Sequence, residues 1–507
     1  MQIFLSRLVL LALLVSCASG HRQTSIEMRK FVAAGQYAEA IAYLNASPLA
    51  TDEKSKLLLF TELGLIEHYR GNYEASSAAL TQAKSIVDEL YTTRVSGKLA
   101  SAFSNDNADF YYGEKYEASL VYFYLSLNSY MQGIRETDPA KRKLHLLRAR
   151  AEVVDWDSFL NEIKQERLGK VVFKEDLLAK VFGALVHESQ GTLNDDQIAL
   201  QLYKDASEVF FKNYNLFPSY NASFEAFKKD FTLLPTLPAK EVEGKYVLRT
   251  AHSDTFKNYL SSKVEQLTRK LKKGKPSNEG VISFLIQDGL IAEKTPDVIE
   301  IPIMWGAHNG AALSMGLGQT ITFELPTVVG VEKLETGKIQ ALNEAGLVIK
   351  EVDLSVVAPL GELAEQAIKE HSTSIAAKTA ARVTAKHLAA FLASYAAAES
   401  ARKNGNSMAA LLATAGHAMA VAGINESEKA DVRFWSTLPS SIRMGHMSLP
   451  AGTYKFQAVY DSGPARRIVD LGSSTVVMKA NHFVMDNKDL RFKGFLPQPS
   501  RSLSGSK

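Results

Sequence analysis

Four glycine-led segments in the first half constrain this chain's fold more than any other feature. Gly35-Gln-Tyr37-Ala-Glu39-Ala40-Ile41 and Gly71-Asn-Tyr73-Glu-Ala75 repeat with their glycines 36 residues apart. Gly113-Glu-Lys-Tyr116-Glu-Ala118 follows with one extra residue, and Gly191…Leu200-Gln-Leu-Tyr203-Lys-Asp-Ala206 is a weaker fourth. In such a unit glycine closes a turn, tyrosine fills the gap between two helices, and alanine lets them approach. Apolar stripes at helical spacing surround the units, as in Leu57-Leu-Leu-Phe60…Leu65-Ile66 and Leu120-Val-Tyr-Phe-Tyr-Leu125. They predict helices from Ile26 to about Phe231. One helical hairpin cannot bury its own apolar face, so the units must stack. The groove of such a stack would take a peptide or protein partner, or be filled by the chain's own C-terminal half.

The unit resembles the tetratricopeptide signature, which implies an N-terminal solenoid over 25–234. Pro235, Pro238 and Gly244 then break the helical pattern, and 235–279 reads as a linker plus a basic helix, Lys257 to Lys273, with a solvated face. From 280 to 496 the texture is β-rich. Val281–Ile286, Val298–Ile303, Thr320–Leu325, Leu347–Val352, Ile442–Met444, Thr453–Tyr460, Arg467–Val469 and a run from Thr475 are β-branched and bounded by Gly, Pro or Asp. An alanine-rich helical insertion occupies 358–424, and the Ser/Gly/Lys tail 497–507 reads as disordered. Within the insertion, Ser407–Asn425 carries no formal charge. That makes it a candidate membrane span, but its apolarity comes largely from alanine, with Gly416, His417 and Gly423 inside it, so a close-packed interior helix is the preferred reading. The expected fold class is α+β: a tetratricopeptide-like solenoid, then a mixed β-rich domain. At 507 residues the chain exceeds the ~250–300 at which one core stops growing, so at least two domains are expected.

Cys17 is the one cysteine, which excludes an intramolecular disulfide framework and any cysteine-cluster metal site. It follows Arg7, an apolar run Leu8–Val15 and Ser16, the layout of a secretory signal. The run is too short for a permanent span, which needs ~20 apolar residues. Leu14-Val15-Ser16-Cys17 resembles a bacterial lipobox; the other reading is an ordinary signal peptide with an incidental cysteine. The resemblance implies a signal peptide over 1–16 and a mature N-terminus at Cys17 with diacylglycerol and an N-acyl chain. With Ala18 and Ser19 following, and no Asp after the cysteine, it implies export to the outer membrane, facing the periplasm. A tether over 17–24 would hold the first domain within ~25 Å of the bilayer.

Reaction signatures are missing. The eleven histidines are scattered, and His371 and His387 lie too far apart for a helical metal pair. Gly330-Val-Glu-Lys-Leu-Glu-Thr-Gly337-Lys338 is too long by two for a phosphate loop and lacks Ser/Thr after its lysine. Gly306…Gly310…Gly316…Gly318 reads as turns, Ser104-Asn-Asp-Asn107 with Asp109 as a capping turn, and Glu362/Glu365 as solvated helix charge. The aromatic runs Phe110–Tyr112, Tyr122–Tyr124 and Phe210–Phe217 read as core. With 58 Lys+Arg against 55 Asp+Glu, the net charge of +3 gives no reason to expect nucleic acid.

Leu90-Tyr91…Asn105-Asp-Asn107…Tyr112-Gly-Glu-Lys-Tyr116-Glu-Ala-Ser-Leu, Gly280–Gly289 and Ala430-Asp-Val-Arg433-Phe-Trp435…Leu438-Pro439…Gly452-Thr-Tyr454 resemble a family of bacterial lipoproteins with tetratricopeptide-like helices. The resemblance spans about residues 25–465. It implies architecture and anchoring, and it transfers no catalytic residue. The expected function is therefore a non-enzymatic, membrane-anchored envelope lipoprotein that binds or scaffolds an envelope protein or peptide. The alternative is an envelope hydrolase or transferase acting on cell-wall material. Cys17, as the lipidation site, is the one functional residue singled out; no catalytic, cofactor or metal residue is. No oligomeric state follows from the sequence.

Overall fold

A computed structural model describes residues 17–93, 110–165, 176–214, 217–223, 239–242, 245–273, 279–303, 319–461, 466–478, 480–491 and 501–502. The expected signal peptide, the Ser104–Asp109 turn and the Gly306–Gly318 connection lie outside these residues.

Helices come first: α1 (Cys17–Ala33), α2 (Tyr37–Ala46), α3 (Lys56–Arg70), α4 (Tyr73–Thr93), α5 (Lys115–Arg135), α6 (Pro139–Gln165), α7 (Leu177–Gln190) and α8 (Leu193–Asn213). The repeat glycines Gly35, Gly71, Gly113 and Gly191 all sit at helix boundaries with positive φ. Gly71 and Gly191 end α3 and α7 in the left-handed conformation, which costs other L-residues about 1–2 kcal/mol. Helix starts are satisfied locally. Asp176 accepts from the amides of Leu178 and Ala179, Thr192 accepts from Asp195, and Glu114 forms a capping box with Glu117. Successive helices pack each against the next, with Tyr73, Tyr116, Tyr203, Ala40, Ala118 and Ala206 buried.

Where the sequence predicts a tether over 17–24, α1 already runs from Cys17. The physical reason is tertiary. Arg22 pairs with Glu293 at 2.9 Å, Arg29 donates to Ile291 O at 2.5 Å, and Thr24, Met28 and Val32 are buried.

A small sheet, order β1-β3-β2, joins β1 (Asn221–Ser223), a strand within the stretch read as helical, to β2 (Ala239–Val242) and β3 (Lys245–Arg249) in the segment read as linker. Next comes α9 (Ala251–Lys273), the basic helix, and its face is only partly solvated. Lys263 is fully buried against Glu188 at 3.0 Å, and Lys270 reaches Asp196 at 2.7 Å.

The remaining strands are β4 (Gly280–Asp288), β5 (Glu293–Ile303), β6 (Gln319–Val329), β7 (Thr336–Leu342), β8 (Val348–Ala358), β9 (Ser441–Leu449), β10 (Gly452–Asp461), β11 (Arg466–Val476), β12 (Asn481–Asp489) and β13 (Arg501–Ser502). Between β8 and β9 stand α10 (Leu360–Lys403) and α11 (Ser407–Ser427). Seven strands form one sheet, β11-β10-β7-β8-β9-β4-β12. It is antiparallel except where β12 runs parallel to β4. Its two edge strands return side by side: Arg467 on β11 pairs with Asp489 on β12, and Lys488 Nζ reaches Asp470 O at 2.9 Å. The sheet is thus rolled on itself around an inner core that includes Ile282, Phe284, Ile339, Phe456 and Tyr460. Bulges assist the roll, as between Phe456 and Gln457, opposite Gly472 at φ +88°.

Alternation puts the other side chains of β4, β9 and β12 on the outside, and there the helices pack. One core runs from Met28 through Phe123 and Trp156 to Leu285, Met444 and Leu490. The texture change near 235 is therefore a change of secondary structure within a shared core. A third cluster, Ile321, Phe323 and Val383, joins β6 to α10. In the tail read as disordered, Arg501–Ser502 pairs with β5 at Ile299 and Glu300.

Candidate functional site

The site that joins the two layers is built from buried carboxylates on the helices and one irregular segment with a turn at Ser436–Thr437, between α11 and β9. Glu62 on α3 is fully buried, and its oxygens accept from Ser436 N at 2.6 Å, Ser436 Oγ at 2.7 Å, Thr437 N at 3.2 Å and Thr437 Oγ1. Glu117 on α5 accepts from Trp435 N at 2.8 Å and from the Tyr111 hydroxyl at 2.5 Å. The Tyr69 hydroxyl donates to Thr437 O at 2.9 Å. Trp435, fully buried, sets its ring 5.8 Å from that of Tyr124. Arg433 is held by Asp431 at 2.8 Å and lies over the Tyr111 ring. Main-chain groups of an irregular segment must find partners when buried, and here the helical layer supplies them. Of the two possible occupants of the helical groove, the one observed at Glu62 is the chain itself.

Burial pushes the Glu62 carboxyl up to about 7, against four hydrogen bonds that favour its ionised form. Burial likewise raises Glu117, and it raises Asp176 to about 6 despite the Ser119 hydroxyl at 2.9 Å. A second polar chain crosses the interface beside the first. His68 Nδ1 lies 2.6 Å from Asn128 Oδ1, and its Nε2 lies 3.2 Å from Gln287 Nε2 on β4. Gln287 Oε1 in turn accepts from the Tyr124 hydroxyl at 2.7 Å. These partners require the proton on Nδ1, with Nε2 as acceptor. Burial pulls the imidazole down to about 4, so it is neutral in this network.

A charged cavity of about 230 Å³ lies at one end of the rolled sheet, lined by Asp288, Glu332, Lys333, Glu335, Arg443 and Arg491. Asp288 serves three guanidinium groups, Arg443 at 3.3 Å, Arg467 at 3.6 Å and Arg491 at 3.2 Å. Arg443 also donates to Glu335 O at 2.7 Å, and Arg467 stacks on the Tyr460 ring at 3.8 Å. Each arginine has a carboxylate partner, so the cluster is a lattice of ion pairs across strand ends. Among the described residues that line the cavity, none carries a hydroxyl or thiol.

An open cleft of about 810 Å³ lies between α4, α5 and α6. Its walls include Tyr73, Glu74, Arg135, His145, Arg148 and Glu152. Arg135 stacks 4.5 Å over Tyr73 and reaches Gly71 O at 3.3 Å, which fixes that wall.

Cys17 is the first residue of α1, and its backbone alone is described. Glu362, read as a solvated carboxylate, is buried and accepts from Ser219 N at 3.1 Å and Ser219 Oγ. Gly337-Lys338 lies within β7, where Lys338 pairs with Glu351 at 2.7 Å. His387 faces Asn425 at 3.1 Å; the His371 side chain lies outside the described residues. Among the described residues no group of three or more His, Cys, Asp or Glu could hold a metal. Sequence reasoning missed Glu62, Glu117 and His68. The only linear signal was the polar-aromatic run Asp431–Thr437, which has no partner visible in sequence. No family model, curated protein or solved structure matches this chain.

Proposed function

We propose that the chain is a lipid-anchored envelope protein that works by binding, with Cys17 as the acylated residue and the paired helices as tetratricopeptide-like repeats. Because α1 begins at Cys17 and is clamped by Arg22 and Arg29, lipid there would hold the folded body against the bilayer with no slack. Several acyl chains on one residue make such attachment durable, at ~0.8 kcal/mol per buried CH₂.

The observation that carries the binding reading is the open cleft between α4, α5 and α6. The Glu62 side of the helices is already engaged by residues 433–438, so a partner has this cleft to use. Glu74 and Glu152 with Arg135 and Arg148 present both signs of charge, which suits a polar peptide offering complementary charges.

Deleting the helical half would expose the shared core, so surface exchange is the better test. Full-length lipidated protein and the double variant Arg148→Glu/Glu152→Arg are compared in pull-downs from detergent-solubilised envelope. Selective loss of one partner in the variant supports the reading; identical partner sets overturn it. For the anchor, Cys17→Ser should abolish metabolic acyl labelling, and labelling that persists would sink that assignment.

A further inference from the structure

The uncharged stretch Ser407–Asn425 does not pack inside the protein. Only 12% of it is buried, with a mean hydropathy of 1.5. It forms α11, which returns antiparallel along the distal part of α10. The two helices meet through Phe391 and His417, whose rings lie 6.0 Å apart, and through Ala410 and Val421, which are buried. Most of the described residues of α11 between Met408 and Gly423 face outward and are apolar. Met408, Leu411, Leu412 and Met419 are 65%, 63%, 65% and 72% exposed, with Ala415, Ala418, Ala420 and Ala422 exposed between them. Leu388, Leu392 and Tyr395 continue the surface as an exposed stripe on α10.

Charge defines the limits of this surface. On α10 nothing between Lys386 and Glu399 is charged, and on α11 nothing between Lys403 and Glu426 is. The base is ionic: Glu428 is fully buried between Arg382 at 3.0 Å and Lys386, and Lys429 pairs with Glu324 at 3.1 Å. The turn at the far end carries Glu399, Arg402 and Lys403. At 1.5 Å per residue the uncharged part of α11 is about 30 Å long, the thickness of a bilayer's hydrocarbon. The uncharged part of α10 is shorter, about 18 Å, and is flanked by long basic side chains that can reach back to an interface. In water such a surface is unusual for a monomeric protein.

We infer that the α10–α11 hairpin is a membrane-contacting element whose uncharged length is covered by the hydrocarbon of a lipid bilayer. Hydrocarbon fits because the exposed Met, Leu and Ala side chains of α11 offer no donor, acceptor or charge to a protein partner, and because charged groups bracket the apolar length at both ends. The inference is independent of acylation at Cys17 and of the cleft proposed for a partner.

The test uses the full chain carrying Cys17→Ser, with Leu412→Cys as the site for an environment-sensitive fluorophore. Phosphatidylcholine vesicles, with and without phosphatidylglycerol, should shift the probe to the blue, and nitroxide-labelled acyl chains should quench it. In flotation, Leu411→Glu/Met419→Glu should lower the partition by at least about tenfold, since each buried carboxylate costs more than 1.4 kcal/mol. Residues 1–16 are present in both proteins, so the difference isolates the hairpin. An unshifted probe overturns the inference, as does equal flotation of the glutamate variant. Disulfide-linked dimers through position 412, with no response to vesicles, would overturn it in favour of a second copy as the occupant.

Discussion

The Glu62 clasp and the α10–α11 hairpin treat polarity in opposite ways. At the clasp, a carboxylate, two hydroxyl side chains and two amides are buried, and all are hydrogen-bonded. On the hairpin, methionine and leucine side chains lie mostly exposed. Burial of polar groups is tolerated where the chain itself supplies every partner. Exposed apolar surface carries the converse message, because no described residue covers it. The clasp is thus a structural joint that closes inward, and the hairpin is a surface that faces outward.

If the clasp is a joint, breaking it should unfold both layers together. Trp435→Ala removes a fully buried indole between them and should cost about 4 kcal/mol, read by urea unfolding with helical and near-UV signals. Coincident transitions are expected, and a β-rich half that melts alone would show that the layers are independent. Glu62→Ala leaves four buried donors without their acceptor and should cost about 3 kcal/mol. Glu62→Gln keeps the shape and some of the bonds and should cost less than half of that. Equal losses would mean that the side chain acts only by filling space.

The pH dependence sharpens the same point, because two neighbouring groups oppose each other. Glu62 binds its proton more tightly when folded, up to about 7 from 4.5. Its contribution is full below pH 4.5 and is lost as pH rises through 7, about 3 kcal/mol in all. His68 is displaced the other way, from 6.5 down to about 4. Its contribution is present above pH 6.5 and is lost as pH falls through 4. Relative to the parent, the Tm profile of Glu62→Gln should fall more steeply on acidification from pH 6.5 to 4. That of His68→Gln should fall more steeply on going up from pH 4.5 to 7. Parallel profiles for parent and variants would show that neither group senses the interface. The smallest effect belongs to the hairpin. Leu411→Glu/Met419→Glu, made on exposed positions, should change unfolding free energy by no more than about 0.5 kcal/mol. A larger loss would mean that this face is already packed, and the contrast with the clasp would collapse.

Local features were legible where short-range physics decides them. The repeat glycines fell at positive φ because no other residue closes those turns cheaply. Val281–Ile286 and Thr453–Tyr460 were readable as strands from β-branched and aromatic content, and they form parts of β4 and β10. Several strands escaped, among them two of the large sheet. β7, Thr336–Leu342, begins with Thr-Gly-Lys and was weighed only as part of a phosphate-loop pattern. β12, Asn481–Asp489, is mostly polar because its charged residues serve the ion pairs that close the roll. The hairpin was misread for a different reason: composition marks a helix as apolar but says nothing about which neighbour covers it.

By itself, the sequence determined helices then strands, the glycine turns, the lone cysteine near the N-terminus and the uncharged helix, since propensity and periodicity act over a few residues. Only the tertiary structure decided that α1 runs helical from Cys17, that Glu62 meets Ser436 across 374 residues, and that Ser407–Asn425 faces outward. Those outcomes depend on which surfaces meet once the sheet has rolled, and such long-range pairing leaves no mark on local sequence.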